Sequence, residues 1–248
     1  MDACLQSRRS WNDVPELRDL RYSYIDADNI GHFTCGVAFE TMMLLLQRHR
    51  RLLSQFCDQE WYSAVERSSL NPFVQGFLAE HICLSQIATS GLLAVNPCLT
   101  QMSHTYFEAR PNWSDQLNST QMVTVRLYIP TAYNFKAVDA AILYRAAKTI
   151  HIYLIQITLN MRHKLSEDVF YRDVWKDWVT PIEEMGYSVE FSTFVWIDKK
   201  KPANDIIPES VKILRSGKKI EQPEHTSIHI GIEQVDPRLA RVLGLFSS

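Results

Sequence analysis

Hydrophobic positions along this chain change from a helical to an alternating period near its midpoint, and that change predicts where helices give way to a sheet. Residues 1–70 read as mainly helical: a dense apolar stretch from Val37 to Leu46 runs into Arg48-His49-Arg50-Arg51, and basic residues suit a helix C-terminus. Asn71-Pro72 then offers an N-cap followed by proline in the first turn, and Gly91 suits the position just past a helix end. A helix of about five turns is expected between them. Residues 94–120, with Pro97 and Pro111, predict a long connection holding one short strand near Thr105-Tyr106-Phe107.

From Gln121 the β-branched and aromatic residues predict four strands, over 122–129, 137–144, 150–158 and 188–197. Between the third and fourth, Leu165, Val169, Val174 and Trp178 fall at near-helical spacing, in a helix expected to stop before Pro181. Thr180-Pro181-Ile182-Glu183 has the form of a capping box, so a second short helix is expected to start there and end at Gly186. A last strand over 226–232 and a terminal helix over 237–245 complete the pattern. The order helix, strand, strand, strand, helix, strand predicts an α/β sandwich. Its expected organisation is a helical N-terminal extension over 1–70, a core over 71–198 and a strand-helix appendage over 199–248 packed on that core.

Two polar anomalies stand out against this pattern. A hairpin turn centred between Ala147 and Lys148 puts Leu143 opposite Ile152, Ala141 opposite Leu154 and Asp139 opposite Gln156, all on one side of the sheet. Thr158 joins them one step on. A carboxylate and an amide thus stand where a continuous core would take aliphatic side chains. Glu80 is the second anomaly, because it shares a helical stripe with Phe73, Phe77, Leu84 and Ile87, the stripe expected to face the sheet. A bound cation is one standard way of keeping a buried carboxylate ionised. Oxygen donors from Glu80, Asp139 and Gln156 suit a hard ion such as Mg²⁺ (or Mn²⁺) rather than zinc.

Composition narrows the function classes. With 248 residues, 46% of them hydrophobic, and a net charge of -2, the chain is of ordinary globular type and has no overall attraction for nucleic acid. Phosphate affinity must then be local, and Arg162-His163-Lys164 and Lys199-Lys200-Lys201 are the candidate clusters beyond residue 70. Five cysteines without a C-x-x-C spacing suggest neither a disulfide framework nor structural zinc. With no signal-like or membrane-spanning apolar run, an intracellular protein, nuclear or cytoplasmic, is expected. No G-x-x-x-x-G-K-[ST] occurs, so ATP hydrolysis is not expected.

Glu80 on a helix, Asp139 opening a strand, and Gln156-Ile157-Thr158 ending the next strand together resemble the PD-(D/E)XK nuclease superfamily. More narrowly, Asn71-Pro72, Gly76-Phe77-Leu78-Ala79-Glu80, Val138-Asp139 and Gln156-x-Thr158 followed by His163 are similar to the C-terminal nuclease-like module of Crinkler and RHS-type effector proteins of fungi and oomycetes. The resemblance covers about half the chain and implies a restriction-endonuclease-like core that hydrolyses DNA with a divalent metal. Under it, Glu80, Asp139, Gln156 and the Ile157 carbonyl would bind Mg²⁺. Thr158 stands where the superfamily usually has lysine, and His163 or Lys164 would have to reach the site instead. Arg162, Lys164, Lys199, Lys200 and Lys201 would contact DNA. The resemblance also implies a P-loop ATPase domain or a homodimer partner docking through residues 1–70. The alternative is a catalytically inactive fold of the same kind, acting as an intracellular protein- or nucleic-acid-binding module.

Overall fold

A computed structural model describes residues 23–25, 31–33, 59–67, 72–131, 135, 137–159, 166–199, 207–208, 211–213, 219–221 and 223–245. In the N-terminal part these hold a short antiparallel pair, β1 (Ser23–Ile25) and β2 (Gly31–Phe33), and helix α1 (Gln59–Arg67). The strand pair departs from the mainly helical expectation; the apolar stretch from Val37 to Leu46 lies outside the described residues. Helix α2 (Pro72–Ser90) starts at its proline and ends at Gly91, whose φ of 86° is the left-handed turn that glycine makes without steric cost. Asn71, the expected N-cap, lies outside the described residues.

The connection that follows is more ordered than its proline content suggests. It supplies β3 (Ser103–Phe107) and the short helix α3 (Ser114–Leu117). Next come β4 (Val123–Pro130), β5 (Ala140–Ala146) and β6 (Thr149–Thr158). Two helices follow, α4 (Ser166–Asp173) and α5 (Trp175–Glu184), and then the long strand β7 (Ser188–Asp198). The helix break falls at Val174, and α5 runs through Pro181 rather than stopping before it. The reason is burial. Trp178 and Ile182, one turn apart, are both enclosed in the aromatic core, and the Trp178 carbonyl accepts a hydrogen bond from Trp113 Nε1 at 2.9 Å. These contacts offset the amide hydrogen bond that proline cannot make.

The C-terminal part adds β8 (Ile207–Pro208), the pair β9 (Val211–Ile213) and β10 (Lys219–Glu221), and then β11 (Thr226–Gly231). Helices α6 (Ile232–Val235) and α7 (Pro237–Val242) follow. Seven strands form one mixed sheet in the order β3-β4-β5-β6-β7-β11-β8. β4, β5 and β6 are successively antiparallel, whereas β6, β7 and β11 run parallel. Residues 226–231 are therefore part of the same sheet as the core strands.

The β5–β6 hairpin has the expected register, with Ala141 opposite Leu154 and Leu143 opposite Ile152. Its tight turn contains neither glycine nor asparagine; Ala147 takes φ 56° and supplies the left-handed residue itself. The two sheet faces carry separate cores. Ala140, Ile142, Tyr153, Ile155 and Ile157 pack with α2, α6 and α7. Ala141, Leu143, Ile152, Leu154 and Phe194 pack on the opposite face with the aromatic side chains of α4 and α5. Among the described residues, no helix is long and apolar enough to cross a membrane.

Candidate metal centre

Asp139 stands one residue before β5, just after Ala137 with its φ of 74°. Its backbone N–H donates to the Ile155 carbonyl at 2.8 Å, which continues the hairpin ladder by one bond. Beyond that point the side chain takes over from the backbone. Asp139 Oδ2 accepts from the Ile157 N–H at 2.6 Å and from Gln156 Nε2 at 2.7 Å. A strand N–H points along the sheet rather than out of it. The Asp139 carboxyl therefore lies in the plane of the sheet, at the rim where β5 begins.

That position resolves a conflict in the sequence reading, which expected Glu80 and the Asp139–Gln156 pair to converge on one face. Side-chain alternation directs Gln156 toward the face of Leu154 and Trp196, while α2, which carries Glu80, covers the other. Nor is there a distinct stripe: Phe77, Leu78, Ala79, Ile82, Cys83, Leu84 and Ile87 are all buried, so α2 is enclosed on most sides. Phe73 contributes no described side chain. Glu80 and Asp139 are nevertheless near enough to interact electrostatically, because a carboxyl at the rim is reachable from either face. Both residues are half-buried.

The electrostatics express this meeting. Burial, and after it the neighbouring Asp139 carboxylate, pushes the Glu80 carboxyl well above the ordinary carboxylate range. Burial pushes Asp139 up to about 7, against the opposing pull of the Ile157 N–H. The buried Cys83 thiol is pushed up by burial and by Asp236, Glu80 and Asp139, so it is no thiolate donor. His81 is pushed down to about 4 by burial and stays neutral near pH 7. Two carboxyls in one place, both resisting ionisation, are an environment that a cation would relieve.

The donor set fits a hard ion. Gln156 commits its Nε2 to Asp139, which leaves Oε1 as an acceptor. Ile157 engages the site through its N–H, not through the carbonyl that the family resemblance assigned to it. Among the described residues no three His, Cys, Asp or Glu side chains gather as a metal cluster. Two carboxylates and an amide oxygen suit Mg²⁺, which keeps several waters and needs only one or two protein carboxylates.

Thr158 is buried at the end of β6, opposite Asp198 of β7. Arg162, His163, Lys164, Lys200 and Lys201 lie outside the described residues. Lys199, directly after Asp198, is half-buried.

Sequence reasoning missed two carboxylate–histidine pairs on the face opposite α2. In one, Glu167 Oε1 lies 2.8 Å from His225 Nε2, and Glu167 Oε2 accepts from Trp196 Nε1 and Ser227 Oγ at 3.2 Å each. In the other, Asp198 Oδ2 lies 2.9 Å from His229 Nδ1. The partners are separated by 58 and 31 residues respectively. Parallel pairing of β11 with β7 sets His229 beside Asp198, and it leads His225, just before β11, to Glu167 of α4. No protein-family model, curated protein or solved structure matches the chain.

Proposed function

We propose that this protein is a metal-dependent nuclease, or a toxin module derived from one, that hydrolyses phosphodiester bonds in DNA at Glu80, Asp139 and Gln156. The observation that carries the reading is the Asp139 carboxyl, fixed at the sheet rim by Gln156 and the Ile157 N–H and set against Glu80. Two neighbouring carboxyls that burial keeps from ionising are costly to keep at the open end of a hairpin for packing alone. They are suited to a divalent ion that is bound together with substrate. The order α2, β4, β5, β6, α4–α5, β7, with two antiparallel pairings followed by a parallel one, supports a restriction-endonuclease-like core.

When bound, Mg²⁺ or Mn²⁺ supplies Lewis acidity toward the phosphate and lowers the pKa of water. The chain's own part is positional. Gln156 and the Ile157 N–H hold Asp139 in one rotamer, and α2 brings Glu80 to it. Thr158 brings no positive charge to the developing phosphorane, so stabilisation has to come from elsewhere. That substitution favours, as the second reading, an inactive fold that binds nucleic acid or protein.

Nicking of supercoiled plasmid DNA separates the two. The nuclease reading expects nicking with Mg²⁺ or Mn²⁺ that is abolished by chelator, by Asp139→Ala and by Glu80→Ala. Nicking that survives both substitutions would reject these residues as the site. Absence of nicking by the wild type, with retained metal and DNA binding, would favour the inactive module.

A further inference from the structure

The rim that holds Asp139 continues across the parallel strands. β6, β7 and β11 end at Thr158, Asp198 and Gly231, at the same edge of the sheet where β5 begins. Cross-strand pairing puts Gln156, Trp196 and His229 in one row, and Thr158, Asp198 and Gly231 in the next. Residues paired across strands point to one face, so Gln156 and His229 share the face opposite α2.

His229 is held there by two independent constraints. Asp198 Oδ2 lies 2.9 Å from its Nδ1, and an ionised carboxylate only accepts, so Nδ1 carries the proton. The imidazole also lies over the Trp196 indole, with planes within 7° and centroids 5.8 Å apart. The His229 side chain is 34% exposed and that of Asp198 16%. Nε2 has no hydrogen-bond partner among the described residues. An imidazole fixed at one nitrogen and in its plane, on a side chain about one-third exposed, is preorganised to contact a ligand through Nε2.

Two strand spacings, about 10 Å, separate His229 from Gln156 along the rim. Duplex phosphates rise about 3.4 Å per nucleotide along the helix axis and lie roughly twice as far apart along the winding strand, so the span fits a phosphate one or two nucleotides from the one at Asp139. We propose that His229 is a phosphate-contact residue: its Nε2 donates to a backbone phosphate flanking the scissile one, with Asp198 as its positioning residue. The proposal rests on the nuclease reading and adds a substrate contact that Thr158 and the lysine runs do not supply.

With Nδ1 directed at Asp198, Nε2 donates to a phosphate only from the doubly protonated ring. The described charged groups on the elements around it are Asp198 and Lys199 at the end of β7, Glu167 of α4 behind Trp196, His225 paired to Glu167, and Glu233 of α6. Asp198 contacts the ring directly and offsets the imidazolium charge when no phosphate is bound.

The test uses the full chain in EDTA, which blocks cleavage, with a fluorescein-labelled DNA duplex as probe. Fluorescence anisotropy is followed at about pH 6 and about pH 8, where histidine charge differs most. His229→Gln is expected to weaken binding about three- to tenfold at the lower pH, with little change at the higher one. It should also reduce the slope of log affinity against log salt by about one. Asp198→Ala, which keeps the ring but removes its anchor, should change affinity in the same direction, with circular dichroism confirming that both variants are folded.

Equal affinity and salt slope in wild type and His229→Gln would overturn the proposal. If Asp139-dependent nicking persisted in that case, the nuclease reading would stand without it. A wild type that binds no duplex would overturn this proposal, and the nicking assay would then decide the nuclease reading separately.

Discussion

Replacing Asp139 by asparagine should make the protein more stable at neutral and alkaline pH, although it removes a charged hydrogen-bond acceptor. Asparagine keeps an oxygen for the Ile157 N–H and Gln156 Nε2, and it turns an amide toward Glu80 in place of a second carboxylate. In the wild type the folded state holds this proton up to about 7, whereas an unperturbed aspartate releases it near 3.8. The folded chain therefore binds more protons than the unfolded one in that interval, and stability falls as pH rises through it, levelling off above about 7. A difference of this size is worth at most about 4 kcal/mol, and partial contact with water reduces it to about 1–3 kcal/mol.

Urea denaturation of wild type and Asp139→Asn, in EDTA, provides the measurement. Near pH 3, where the wild-type carboxyl is largely protonated in both states, the two proteins should agree within about 1 kcal/mol. By about pH 8 the variant should be the more stable one, and its stability should depend less on pH. A variant that is less stable at the higher pH, or equally pH-dependent, would refute the assignment of Asp139 as a carboxyl that burial holds protonated toward neutral pH.

Three further outcomes follow from the packing. Glu167→Ala removes the acceptor shared by His225, Trp196 and Ser227 and should cost about 3–5 kcal/mol in urea denaturation; a loss below about 1 kcal/mol would mean that the network is replaceable by water. Asp236→Ala removes the N-cap of α7, which accepts from Arg238 N and Leu239 N, and strands the Tyr62 hydroxyl that donates to Asp236 Oδ2 at 2.6 Å. Its thermal midpoint should drop by an amount corresponding to about 2–3 kcal/mol, and an unchanged midpoint would contradict the cap. Gly91→Ala combines a left-handed φ with a clash between its new Cβ and the Leu99 carbonyl, and should cost more than about 2 kcal/mol by calorimetry. A neutral effect would show that the chain after α2 can shift freely.

Local signals carried much of this architecture. Pro72 and Gly91 bound α2 because one fits the first helical turn and the other the left-handed exit. A turn centred between Ala147 and Lys148 was enough to set the hairpin register and bring Asp139 opposite Gln156. What was illegible depends on tertiary context. Pro181 reads locally as a helix stop, but burial of Trp178 and Ile182 carries α5 through it. The side of the sheet that α2 covers cannot be read from its own periodicity, because nearly every face of that helix is apolar and buried. The His225 and His229 pairs need β11 beside β7, a contact between segments that no sequence spacing signals.

The central claim is that Glu80 and Asp139 bind a hard divalent cation together. Mn²⁺ binding followed by electron paramagnetic resonance tests it directly, since free and bound ion differ in signal amplitude. The account predicts a single saturable ion per wild-type chain, displaced by Mg²⁺ and lost in both Asp139→Asn and Glu80→Gln. Equal binding by the wild type and both variants would contradict it.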